Sequence, residues 1–246
     1  MDLRLQEPEF EIIDETDDYI VVDKPAHLLV HPATSNQPPT LLDGLQDLLI
    51  YDLAIGGSLS IITRLDRETS GIVLVAKHSA QARIFGIAME AREYRKTYLA
   101  IVFGHPVEDE FVVDTPLKRA GEVEPSAIWV KQIVHPEGKS SRTDFRVLKR
   151  FSREEGDFAL LECRPITGRM HQIRVHAAHA GFGIVGDKLY GVDQANYLEF
   201  IETGWTAPLA ARLLLNRQAL HAHRLEWREH RWDCELPKEL TEFMQA

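Results

Sequence analysis

This chain has almost no cysteine. Cys163 and Cys234 are its only two, they lie far apart, and they form no CxxC pair. That excludes a disulfide framework and a thiol-ligated metal ribbon. Two small core residues in a reducing cytoplasm is the reading that fits. Long apolar runs are also missing: none reaches the ~18 residues of a membrane-spanning helix. The opening "MDLRLQEPEF" has neither a basic n-region nor an apolar h-region, so it does not read as a secretory signal. GxxxxGKS/T does not occur, and the GxGxxG at 181–186, "GFGIVG", follows a helical pattern instead of a strand, so no glycine-rich phosphate cradle is offered. The absence of GxSxG argues against a serine-elbow hydrolase. His171, His176 and His179 are spaced by five and three, unlike the i, i+4 pair of a helical zinc site. Together with His221 and His223 they read as satisfied or surface histidines, and neither a metal nor a cofactor is expected.

Positive charge is scarce too, with 28 Lys and Arg against 38 Asp and Glu, a net charge of -10. That balance at first argues against a nucleic-acid partner. Its distribution does not. Residues 1–60 hold two basic and twelve acidic residues, so they carry the whole excess. Residues 61–98 hold seven basic against four acidic, and residues 139–179 nine against five. Two locally basic segments on an acidic protein suffice for a phosphate-binding face, although ordinary solvated charge explains them equally well.

Strand patterns dominate what is present. "FEIIDETDDYIVVDKP" reads as two strands around an Asp-Asp turn, and "ATSNQPPT" (33–40) as a loop. "LLDGLQDLLI" (41–50) has helical spacing, weakened by Gly44. Further strands are expected at 71–77, 94–104, 111–116, 127–134, 141–151, 157–165, 219–227 and 231–236. Helices are expected at 79–92 with Ser79 as N-cap, at 168–181 ended by Gly181, and from Pro237 on. Strands in runs, not in alternation with helices, predict an α+β fold with a largely antiparallel, mixed β-sheet flanked by helices and loops. No linker or repeat divides the chain, so 1–246 reads as one domain.

"TRLDRETSG" (63–71) carries four charges immediately before the apolar run "IVLVAK". Asp66 there is either a loop acid, paired with Arg64 or Arg67, or a carboxylate held at the head of a strand for chemistry. "RPITGRMHQIRVHAA" (164–178) bears on that choice. Arg174 lies between Ile173 and Val175, so a helix would partly bury it, and a buried guanidinium needs an acid partner. An acid so paired stays ionised at neutral pH, as a carboxylate nucleophile or electrostatic stabiliser must.

"RLDRETSG" and "GRMHQIRVH" resemble the two signature motifs of the RluA family of RNA pseudouridine synthases. The resemblance extends, in the family's order, through "DYIVVDKPAHLLVHP" (18–32), "KTYLAIVFG" (96–104), "GDKLYG" (186–191) and "LHAHRLEW" (220–227). It covers about residues 12 to 240. It implies a pseudouridine synthase catalytic domain without a separate N-terminal ribosomal-protein-like RNA-binding domain. It implies a cytoplasmic, monomeric isomerase acting without cofactor on large-subunit ribosomal RNA or tRNA. Asp66 would be the catalytic aspartate, paired with Arg174. Tyr98 would stack on the uracil with its hydroxyl near carbon 5. Arg64 would enter the gap left by the flipped nucleotide, and Ile173 would wall the pocket, with Arg169 and His171 as further substrate-binding residues. Three positions depart from the family's usual residues: Thr63 for His, His27 for Gly after "KPA", and Met170 for Thr or Ser. None bears a proposed chemical role.

Two other functions compete on residues alone. An RNA-binding module that lost catalysis should be damaged at Asp66, Tyr98 or Arg174, and all three are intact. A nucleoside glycosidase should offer a second acid as proton donor, for which Glu68 is the nearby candidate.

Overall fold

The computed structural model describes residues 8–32 and 38–245. In chain order its elements are β1 (Glu11–Glu15), β2 (Tyr19–Lys24), α1 (Leu41–Leu48), α2 (Ile50–Ala54), β3 (Ser60–Ile61), β4 (Ser70–Ala76), α3 (Ser79–Glu90), β5 (Arg95–Phe103), β6 (Glu110–Asp114), β7 (Leu117–Arg119), β8 (Gln132–Val134), β9 (Arg142–Arg153), β10 (Gly156–Pro165), α4 (Gln172–His179), α5 (Ala195–Thr203), α6 (Ala207–Leu213), β11 (Leu220–Trp227), β12 (His230–Asp233) and α7 (Lys238–Phe243). Among the described residues no helix is long and apolar enough to cross a membrane. Of the loop expected at 33–40, residues 33–37 lie outside the described ones.

The chain forms two compact units. One runs to Arg95 and resumes over Ala222–Glu235; the other comprises Lys96–His221 and the residues from Leu236 on. The divisions fall inside β5 and β11, so neither unit is one continuous stretch.

In the first unit the strand order is β1-β2-β4-β11, with β3 on β4 and β12 on β11. The pairs β1–β2, β2–β4 and β11–β12 are antiparallel. Strands β2 and β4 are apolar almost throughout because both of their faces are covered. Tyr19, Val21, Ile72 and Leu74 face a cluster with Phe85 of α3 and Trp227. Ile20, Val22, Val73 and Val75 face Leu41 and Leu45 of α1. Thr40 and Asp43 close a capping box at the start of α1. Gly44 lies inside that helix because a Cβ there would stand 2.9 Å from the Phe10 ring. The cap of α3 is His78, not Ser79: the His78 ring accepts the Gln81 N–H at 3.2 Å, which makes Ser79 the first helical residue.

The second unit orders its strands β5-β10-β9-β6, with β7–β8 as a separate hairpin. The pairs β5–β10, β9–β10 and β6–β9 are antiparallel. Its core joins Ile101, Phe145, Phe158 and Leu161 of the sheet to Ile173 and Ala177 of α4 and to Phe243 of α7. Three local expectations change here. Of the strand expected at 127–134 only Gln132–Val134 forms, because the chain turns at Ile128, whose carbonyl accepts from Lys131. The helix expected from 168 starts at Gln172, because His171 sits in the left-handed region at φ 56°. Pro237 precedes α7 instead of occupying its first turn. Gly181 does end α4, at φ 88°, with its N–H on Ala178 and the Phe182 N–H on Ala177.

Candidate active site

In the first unit, a buried lysine shapes the charged segment ahead of β4. Lys24 is 0% exposed, and its ammonium donates to the carbonyls of Pro25 (2.7 Å), Leu28 (2.9 Å) and Arg67 (3.2 Å). A charge so buried is tolerable only when its N–H groups are met. Meeting them fixes the loop at Arg67. The Thr69 N–H donates to the Asp66 carbonyl at 3.1 Å, which closes a turn over Asp66–Thr69. Thr63 is buried, and its hydroxyl accepts the Leu74 N–H at 2.9 Å. The loop is thus held at both ends, with Asp66 half-buried and Arg64 exposed. The backbone of the loop helps to anchor four charges beside a buried strand.

Gly71 completes the junction. Its φ is 109°, and a Cβ there would stand 2.7 Å from the Ala222 nitrogen and closer still to the Ala222 oxygen. Gly71→Ala should therefore cost about 2–4 kcal/mol, from left-handed strain and overlap together. For a chain of this size that lowers the melting temperature by about 5–10 °C. Thermal unfolding followed by circular dichroism is the check, and an unchanged midpoint would contradict the close approach.

In the second unit, Arg174 is 8% exposed and Asp187 0%. Arg174 donates from Nε to Asp187 Oδ2 at 2.6 Å and from Nη2 to Oδ1 at 2.9 Å, a bidentate pair. The Leu189 and Tyr190 N–H groups also donate to Oδ1, at 2.9 and 3.0 Å. Burial alone would raise the Asp187 carboxyl. The charge and hydrogen bonds of Arg174, with the two amides, outweigh it and hold the carboxyl below the ordinary range. Arg174 also lies over the Tyr190 ring, 5.0 Å from its centroid. A guanidinium fixed on one edge and one face is pre-oriented, which is what a site needs of a charge partner.

The other expected residues of this unit surround α4 or stand on β5. Gln172, buried, orders the approach to the helix: its Oε1 accepts from Thr167 Oγ1 (2.6 Å) and from the Arg169 N–H (3.1 Å). Arg169 is exposed, with Nε on the Ser140 carbonyl at 3.2 Å. His171 Nδ1 lies 2.9 Å from Tyr190 Oη. Ile173, 6% exposed, is part of the core. Tyr98 is half-buried, packs on that core and pairs with Cys163 of β10. His176 is a satisfied core histidine, with Thr143 Oγ1 at 2.9 Å and Ser141 Oγ at 3.2 Å. Burial lowers its pKa and keeps it neutral.

Asp66 and Arg64 thus belong to the first unit, and the other five expected residues to the second. Sequence reasoning required an acid for Arg174, and the structure supplies Asp187. It missed Lys24, Gln172, Asp187 and Tyr190 as individuals, although "DKP" and "GDKLYG" had both marked their neighbourhoods.

Comparison with known proteins agrees with the motifs. Residues 18–179 match the family described as RNA pseudouridylate synthase. An uncharacterized RNA pseudouridine synthase of Chloroflexus aurantiacus is 40% identical over 81% of this chain, which spans 55% of that protein. The ribosomal large subunit pseudouridine synthase D of Xanthomonas campestris is 35% identical over 96% of this chain and 68% of its own length. The chain thus spans between about half and two thirds of these two relatives. Among solved structures, human RNA pseudouridylate synthase domain containing 4 matches with a TM-score of 0.72, covering 96% of this chain and 92% of that one at 24% identity. The chain belongs to the RNA pseudouridylate synthase family, and its fold is the one solved for those domains.

Proposed function

We propose that this protein isomerises uridines of large-subunit ribosomal RNA to pseudouridine, by base flipping and a catalytic aspartate, without a cofactor. The observation that carries the reading is the family match over residues 18–179, which takes in Asp66, Tyr98 and Arg174 with their motifs. The synthase D relatives support ribosomal RNA as the substrate. The reaction breaks the bond from uracil N1 to the ribose, forms one from C5, removes the C5 proton and returns a proton to N1. It is redox-neutral. Asp66 serves as the catalytic carboxylate, and Arg174, held by Asp187, is the fixed cation of the second motif. Arg64 fills the stack where the uridine left, Ile173 walls the uracil, and Arg169 and His171 bind the flanking RNA. Flipping costs a few kcal/mol, which stacking on Tyr98 offsets. Residues 1–246 act as one catalytic domain, in a cytoplasmic monomer.

Mapping pseudouridines in ribosomal and transfer RNA, with and without the gene, is the test. Loss confined to large-subunit ribosomal RNA is expected. Loss confined to tRNA would reassign the substrate, and no loss anywhere would end the proposal.

Tyr98 has two separable jobs in this reading, a stacking ring and a hydroxyl that helps move the C5 proton. An unperturbed phenol has a pKa of about 10, so the hydroxyl needs a neighbouring charge such as Arg174 to act as a base. Tyr98→Phe should keep RNA affinity and lose most turnover. Tyr98→Ala should also weaken binding by the ~1–3 kcal/mol of one stack. Affinity and single-turnover rate at matched salt decide it. A Phe variant at the wild-type rate removes the proton role.

A further inference from the structure

Trp129 is 72% exposed, although tryptophan normally covers most of its ring. It is also held still. The β7–β8 hairpin carries it on the turn from Ile128 to Lys131, where the Lys131 N–H donates to the Ile128 carbonyl at 3.2 Å. Ile128, the residue before it, is buried at 4%. Ser126 Oγ braces the same turn, accepting the Ile128 N–H at 3.3 Å. Across the hairpin, the Ala120 N–H donates to the Lys131 carbonyl at 2.8 Å. Arg119 lays its guanidinium carbon 3.9 Å from the centroid of the Trp129 ring. The indole is therefore a rigid plate with a cation against it and water around most of the rest.

The hairpin is wired to the candidate site of its own unit. The Gln132 N–H, from β8, donates to Tyr190 Oη at 2.8 Å. The same oxygen meets His171 Nδ1, and the Tyr190 ring lies under Arg174. One phenol thus touches the hairpin, His171 and the Arg174 guanidinium together.

We propose that Trp129 is a stacking platform for an unpaired base of the RNA, with Arg119, whose Nε lies 3.3 Å from Glu122 Oε1, packed behind it. This rests on the RNA-modifying reading above. A planar exposed ring accepts any base face, and a guanidinium adds a cation–π contribution and a phosphate-matching fork. Protein interfaces also use aromatic rings and arginine, but they are depleted in lysine. Here Arg119 lies on the ring, and the same hairpin carries Lys118, on Glu137 at 2.9 Å, and Lys131, on Gln194.

Trp129→Ala and Trp129→Phe in the full chain test this, with fluorescein-labelled single-stranded U12 as the binding probe. An unmodified large-subunit rRNA transcript serves for turnover. The Ala variant should raise the Kd for U12 about tenfold, within what one stacked base supplies, and Phe should recover most of it. The slope of affinity against salt should not change, since no phosphate contact is lost. Single-turnover rate at saturating transcript should stay within twofold of wild type. Wild-type affinity in the Ala variant, or no binding of U12 by the wild type, would overturn the platform. So would equal weakening by Ala and Phe with a lowered melting temperature, which assigns the ring to hairpin stability. A wild type that makes no pseudouridine overturns the activity reading and leaves the U12 result to decide the stacking.

Discussion

Asp66→Asn should leave no measurable pseudouridine while the protein stays folded and binds RNA. The substitution keeps the shape of the side chain and removes its charge and its nucleophilic or basic capacity. Losses of about a hundredfold to ten-thousandfold are the scale for a group that moves a proton at the reacting atoms, and loss of a nucleophile adds to that. Folding should survive, because the loop is anchored through backbone. Lys24 holds the Arg67 carbonyl, and the Thr69 N–H meets the Asp66 carbonyl, which asparagine retains. Single-turnover assay of an unmodified transcript, with a thermal melt of the same sample, separates chemistry from folding. Turnover within tenfold of wild type would remove Asp66 from the reaction.

Asp187→Asn should have the largest effect on stability. It leaves the Arg174 guanidinium, 8% exposed, beside a neutral amide. Removing one partner of a buried pair costs about 3–5 kcal/mol, because the remaining charge stays out of water. That corresponds to a melting temperature lower by roughly 10 °C. The pH dependence carries a sign. The folded carboxyl is held below its ordinary value of 3.8. Both the folded and unfolded states are ionised well above that value, so the stabilisation is then present in full. As pH falls below it, the unfolded state takes up the proton first and the stabilisation is lost. The gap between wild type and variant should therefore be constant near neutrality and narrow below about pH 4. A gap that widens on acidification would contradict an ionised Asp187. Turnover should fall as well, through the loss of orientation at Arg174.

Much of the fold is legible in the amino-acid order. Unbroken apolar runs in "IVVDK" and "GIVLVAK" marked β2 and β4, because both faces of each strand are covered. Gly181 announced the end of α4, since only a left-handed residue closes that helix cheaply. Other features were hidden by local chemistry that several structures satisfy. The helices at 195–213 drew no assignment. "AIWVKQIV" is rich in strand-forming residues, yet only its last three pair, because the chain turns at Ile128, whose carbonyl accepts from Lys131. His78 outcompeted Ser79 as a cap, since the ring nitrogen reached the Gln81 N–H.

The amino-acid order alone determined the motifs, their succession, the strand-rich class and the need of Arg174 for an acid. Those follow from residue types and from periodicities that belong to single elements. The tertiary structure decided that Asp187 meets Arg174, which carbonyls received the Lys24 charge, and that Trp129 was left in water. Burial and partner choice depend on loops brought together across distant parts of the chain. The penalty for an unmet buried charge requires that some partner exist, but only packing selects Asp187 for Arg174 and the Arg67 carbonyl for Lys24.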